Sequence, residues 1–114
     1  MAKILFEVGG GNYLKEAEKL LNKKVITRED TGALLAKHIR GDYGIIDEEI
    51  KERNNKILAS NELDGEMIFS LHKIGKAKIG IYTLLKKDQK TNQTYVMTDY
   101  ELDRILGMLS STKE

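Results

Sequence analysis

The sequence has no cysteine, no proline and no tryptophan, and only two histidines. Without cysteine there is no disulfide framework, no thiolate zinc site, no iron–sulfur cluster and no thiol nucleophile. Without proline, the chain can be punctuated only by glycine, asparagine and aspartate. Aromatic residues are 6% of the total, so the core must be built from aliphatic side chains. Long apolar runs are also missing. A membrane span needs about 20 consecutive apolar residues, and the start, Met1 to Phe6, meets Glu7 before a signal-peptide core can form. The expectation is a cytoplasmic protein with no membrane contact. Nor is there an excess of charge: 19 basic against 18 acidic residues leave a net charge of +1, too little to draw the whole molecule onto nucleic acid or a lipid surface.

What is present is enough for one domain. The chain has 114 residues, 40% of them hydrophobic and 32% charged, a balance that supports a single packed core and no wholesale disorder. The expected extent of the domain is 1–109, with 110–114 as a frayed tail. Charge is segregated along the chain. Residues 42–66 carry eight acids against three bases, and residues 73–90 carry six lysines against one aspartate. The two segments either neutralise each other on one face or leave a basic pole.

Lys3-Ile4-Leu5-Phe6-Glu7-Val8 reads as a short strand, closed by Gly9-Gly10-Gly11, with Asn12 as the cap of a first helix that buries Leu14, Ala17, Leu20 and Leu21. Thr27 and Asp30 have the spacing of a weakened capping box. A second helix follows from about Arg28 to Ile39, burying Leu34, Leu35, His38 and Ile39. Gly41-Asp42-Tyr43-Gly44 stops it. Asp47, Glu48 and Glu49 then suit the first turn of a third helix, which buries Ile46, Ile50, Ile57 and Leu58 and ends near Asn61.

Beyond Gly65 the period changes from 3.6 to 2. Met67 to His72 and Ala77 to Tyr82 alternate around a turn at Gly75, Lys86 to Asn92 form a polar loop, and Gln93 to Met97 extend the meander. Thr98 or Asp99 caps a last helix with Leu102, Ile105, Leu106 and Leu109 as its apolar stripe. Helices come first and most strands later. The fold class expected is α+β: one two-layer domain, with an antiparallel meander of three to four strands packed on three to four helices.

Candidate chemistry is sparse. The triple glycine matches neither the G-x-x-x-x-G-K-[ST] loop nor the G-x-G-x-x-G fingerprint and reads as a turn rather than a phosphate cradle. His38 lies near Asp42, Asp47 and Glu48, so one imidazole and two carboxylates have the makings of a metal or acid–base site; the other reading has His38 filling a helix interface and Asp42 binding turn amides. Asn54 and Asn55 sit mid-helix, where asparagine is unfavourable, which points to a bond from one of them to the Gly41–Gly44 turn. Lys73, Lys76, Lys78, Lys86, Lys87 and Lys90, with Tyr82 and Tyr95 on the same sheet, offer a surface for phosphates and bases. Lysine-rich hairpins also keep sheet edges soluble.

The motif His38-Ile39-Arg40-Gly41-Asp42-Tyr43-Gly44, preceded by Leu34 to Lys37 and followed by Asp47, Lys51 and Asn54-Asn55, resembles a group of short phage- and plasmid-borne bacterial proteins. They are often called plasmid-related proteins, or mislabelled as type I restriction subunits. The likeness covers roughly residues 34–101, including Met67 to His72, Ile79 to Thr83 and Thr91 to Met97 as the matching strands. It departs where the group has a Glu and an Asp-Arg pair, here Leu84 to Gln89, and where a proline is usual, here Thr98-Asp99. The resemblance implies a mobile-element setting and this fold, and brings no catalytic residue.

The resulting expectation is a non-enzymatic binding protein of a phage, prophage or plasmid, acting on a host or element-encoded protein, with inhibition of a defence system as one concrete form. The binding residues assigned are His38, Asp42, Tyr43, Lys73, Lys76, Lys78, Lys86, Lys87 and Lys90; no catalytic residue, metal or cofactor is assigned. Nucleic acid is a further partner through the basic hairpin, and a homodimer through an exposed sheet edge. The alternative is a small nucleotide-binding protein or hydrolase using His38 and nearby carboxylates.

Overall fold

Alternation of large apolar side chains makes two long strands here, and they dominate the architecture. In the computed structural model, which describes residues 3–60 and 62–111, the chain runs β1 (Gly10–Tyr13), α1 (Lys15–Asn22), α2 (Arg28–His38), α3 (Glu48–Ala59), β2 (Met67–Ile74), β3 (Ala77–Leu84), a 3-10 turn at Gln89–Thr91, β4 (Gln93–Thr98) and α4 (Asp99–Ser111). The strands form one sheet in the order β1-β4-β3-β2. β2, β3 and β4 are the antiparallel meander, and β1 joins β4 in parallel. The α+β class therefore holds, as a single domain of four helices and a four-stranded mixed sheet.

The helices begin where the sequence supplies caps. Thr27 accepts from the Asp30 amide and Asp30 accepts from the Thr27 amide, both at 3.0 Å, a complete capping box for α2. Thr98 does the same for α4 with Glu101. Asp47 occupies the cap position of α3 without a side-chain bond to it, and the acids Glu48 and Glu49 favour the first turn through the helix dipole.

Strand parity sets the two faces. Ile79 and Ile81 of β3, with Val96 of β4, pack against Ala17, Ile26 and Leu34 from the α1–α2 side. Gly80, of opposite parity, lies under α4: a Cβ there would come within 2.9 Å of the Leu102 side chain. The sheet thus carries helices on both faces, with α3 running beside β2. The larger core cluster, with Phe6, Tyr43, Ile46, Ile57, Phe69 and Leu102 among its members, surrounds that end of the sheet.

The N-terminal expectation is corrected. Lys3 to Val8 is not a strand, although Leu5 donates to the Ile39 carbonyl at 2.8 Å. The strand is Gly10–Tyr13 instead, and the chain enters it past a close approach to Asn92 and Gln93. A Cβ on Gly9, at φ +67, would lie 1.9 Å from the Asn92 carbonyl oxygen, and one on Gly10 would meet the Gln93 side chain. Leu14, not Asn12, precedes α1. Asn61, the expected end of α3, lies outside the described residues; α3 ends at Ala59. α4 continues through Ser111, while the Leu109 side chain and Thr112–Glu114 lie outside the described part.

Candidate functional site

His38, the first candidate, is the last residue of α2 and is fully buried. Its ring is the middle of a hydrogen-bonded chain that crosses three strands. Thr94 donates its hydroxyl to the Val8 carbonyl at 2.7 Å, since a carbonyl only accepts. With that hydrogen used, the 2.7 Å contact between Thr94 and Thr83 is donated by Thr83. Thr83 must then accept from His38 Nε2–H, at 3.0 Å. Nδ1 is left with its lone pair and accepts from the Ser70 hydroxyl at 2.7 Å. The network assigns the neutral Nε2–H tautomer. Burial, reinforced by His72, pushes the imidazole from its ordinary 6.5 down to about 3, as expected for a cation taken out of water.

A serine 2.7 Å from an imidazole has the spacing of a nucleophile and its base. Here Ser70 is as buried as His38, both at 0% exposure, and the pair joins α2 to the sheet. The metal or acid–base grouping that the spacing of His38, Asp42, Asp47 and Glu48 offered as one reading is not assembled: among the described residues no group of three or more His, Asp or Glu side chains converges. Asp42 is exposed and accepts from the Gly44 amide at 3.1 Å, a turn bond. Tyr43 is buried beside His38, with ring centroids 6.4 Å apart and its hydroxyl unpartnered among the described residues; burial raises its pKa. His72 packs so closely on Gly44 that a Cβ there would lie 2.6 Å from Nδ1. Burial lowers the His72 pKa, with Asp42 opposing and Lys37 adding to the shift.

The six lysines do not form one patch. Lys73 and Lys78 face each other across β2 and β3 at the hairpin, with Lys76 in its turn. Lys86, Lys87 and Lys90 belong to the loop at the far end of β3, roughly 25 Å away along eight extended residues. None of the six has an ion pair among the described residues. Tyr82 and Tyr95 do lie side by side on one face, centroids 4.8 Å apart, with Phe69 next in the row at 5.7 Å from Tyr82. All three are at least partly covered.

What sequence reasoning missed is the unequal treatment of the two sheet edges. Along the middle of β2 the outward backbone groups find partners outside the sheet. Arg53 donates to the Met67 carbonyl at 2.9 Å. Asn54 donates to the Phe69 carbonyl at 2.7 Å and accepts from the Phe69 amide at 3.2 Å. Leu71 donates to the Tyr43 carbonyl at 3.1 Å and accepts from the Ile45 amide at 2.7 Å. The bond expected from Asn54 or Asn55 to the Gly41–Gly44 turn is thus replaced by a bond from Asn54 to the strand itself.

β1 has no such cover. Gly10 and Leu14 donate to Asn92 and Val96, each at 2.8 Å, so by parity Gly11 and Tyr13 turn their N–H and C=O groups away from β4. No described residue bonds to those outward groups. Beside them lies a concavity of about 680 Å³ lined by Gly11, Tyr13, Leu21, Lys24, Ile26 and Arg28. The glycines consequently do not form an anion cradle at a helix N-terminus, because β1 separates them from α1. No family model, curated protein or solved structure matches this chain. No helix among the described residues is long and apolar enough to cross a membrane.

Proposed function

We propose that this chain is a non-catalytic binding protein of a phage, prophage or plasmid that acts by contact with another protein, in the manner of an inhibitor or adaptor of a host system. One observation carries the contact reading: the β2 edge is closed by Arg53, Asn54 and the Tyr43–Ile45 backbone, while the β1 edge is open beside a concavity. An open strand edge attracts other strands, and proteins ordinarily blunt it with charges, prolines or covering elements. The mobile-element setting rests on the resemblance around His38 to Gly44.

The alternative built on His38 asks for an imidazole that substrate and water can reach. This ring has both nitrogens bonded inside the domain. Nucleic-acid contact asks for lysines gathered along one track, whereas these stand at opposite ends of β3.

Affinity capture with the tagged full chain, from lysate of the bacterium carrying the gene and with or without nuclease, tests the reading. A stoichiometric protein retained after nuclease is the expected result. A bait that stays empty, or whose catch disappears with nuclease, overturns it.

A further inference from the structure

We propose that the open edge of β1 is a groove for an extended segment of the partner protein, which joins the sheet as a fifth strand beside Gly11–Tyr13. This rests on the binding reading above and names the form of partner it takes. The outward groups of Gly11 and Tyr13 alternate donor and acceptor, and another polypeptide backbone matches that alternation. A phosphodiester offers acceptors only, so it satisfies the amides and leaves the carbonyls unpaired.

β1 is short, at four residues, but neither a charge nor a proline guards its edge. Its sequence, Gly-Gly-Asn-Tyr, has no charge, and a Cβ built on Gly11 would meet nothing within 4 Å. The concavity alongside supplies the recognition of side chains. Its accessible apolar part is Leu21, Ile26 being only 1% exposed, and its cations are Lys24 and Arg28, the latter 5.7 Å above the Tyr13 ring; Glu18 is the acid on its wall. Alternate residues of an added strand face the same side. The segment that fits therefore places an apolar residue against Leu21 and an acidic one, two positions along, toward Lys24 and Arg28. A second copy of this chain is a poorer occupant, because its β1 carries no acidic residue to set against Lys24 and Arg28.

The test uses the full chain and a displayed library of random peptides, with the best binder synthesised and titrated into the isotopically labelled protein. Binding is expected to slow exchange of the Gly11 and Tyr13 amides by about tenfold or more, and N-methylation of alternate peptide residues is expected to abolish it while methylation of the intervening ones is tolerated. Gly11→Pro removes an N–H that plays no part in the ladder with β4 and is expected to weaken binding by about tenfold with the fold retained. Should that variant fail to fold, the N-methyl scan on the unsubstituted protein decides. Protection that falls on other amides, protection of Gly11 that grows with protein concentration in the absence of peptide, or no peptide retained at about 1 mM overturns the groove. Native capture of a nuclease-resistant protein alongside any of those results leaves the binding reading standing and removes only this one.

Discussion

Asn54 of α3 meets both backbone polar groups of Phe69, its amide nitrogen 2.7 Å from the carbonyl oxygen and its own oxygen 3.2 Å from the amide nitrogen. A side-chain amide has the same donor and acceptor as a peptide unit, so one asparagine stands where a neighbouring strand would. This explains an otherwise unfavourable residue in the middle of a helix. The fully buried Asn54 joins α3 to the sheet and closes the β2 edge at its centre.

Asn54→Ala removes both bonds from a buried pair. The expected cost is about 2–3 kcal/mol, since the Phe69 groups lose their partner without regaining water, and urea unfolding measures it. The same variant opens a second edge, so light scattering is expected to show more self-association than in the unsubstituted chain.

His38 makes stability depend on pH with a defined sign. Between the folded value, about 3, and the ordinary 6.5, the unfolded chain binds a proton that the folded chain does not. Stability is therefore fully present above pH 6.5 and falls as pH drops toward 3, with a slope approaching about 1.4 kcal/mol per pH unit from this group alone. The lowered pKa of His72 adds in the same direction. Denaturant unfolding from pH 8 to pH 4 tests this, and His38→Ala is expected to flatten the slope. Imidazole nitrogen shifts are expected to show the Nε2–H tautomer unchanged from pH 7 to pH 5.

Two glycines with positive φ separate steric from conformational cost. Gly44, at φ +68, has the Leu71 carbonyl oxygen 2.1 Å from where a Cβ would stand; Gly65, at φ +85, has nothing within 4 Å. Gly65→Ala is expected to cost about 1–2 kcal/mol, the left-handed penalty alone. Gly44→Ala adds a backbone clash and disturbs the bridge that covers Leu71, so its melting temperature is expected to fall distinctly further. Equal losses contradict this placement of Gly44.

The separated lysines predict weak, shallow polyanion binding. With three lysines at each end of β3, a single strand of DNA can engage one group at a time, and the salt dependence of log affinity is expected not to exceed about −2. Fluorescence anisotropy at several salt concentrations measures it. A slope set by all six lysines contradicts the geometry.

Much of the fold was legible because it is written in local periods and caps. The alternation of Met67 to His72 with Ala77 to Tyr82 gives the hairpin, and Thr27 with Asp30 marks the start of α2. The start of the chain misled for a physical reason. Apolar residues at Ile4, Leu5 and Phe6 imitate a strand, whereas the residues that do pair are Gly10 to Tyr13, reached through Gly9, where the backbone of Asn92 leaves no room for a Cβ. His38 was placed with its sequence neighbours Asp42 and Asp47, but its partners Ser70 and Thr83 are 32 and 45 residues downstream. Local spacing contains no trace of them. The open and closed edges were equally hidden, since both depend on which element lies beside which strand; the one signal was Asn54, recognised as out of place and assigned to the wrong acceptor.

Hydrogen exchange of the edge amides in the free protein tests the central claim most directly. Phe69 and Leu71 donate outward from β2 to Asn54 and Tyr43, so their amides are expected to be protected nearly to the level of global unfolding. Gly11 and Tyr13, outward on β1, are expected to exchange close to the rate of an open chain. Fast exchange at Phe69 and Leu71, or protection of Gly11 and Tyr13 without any partner, contradicts the account.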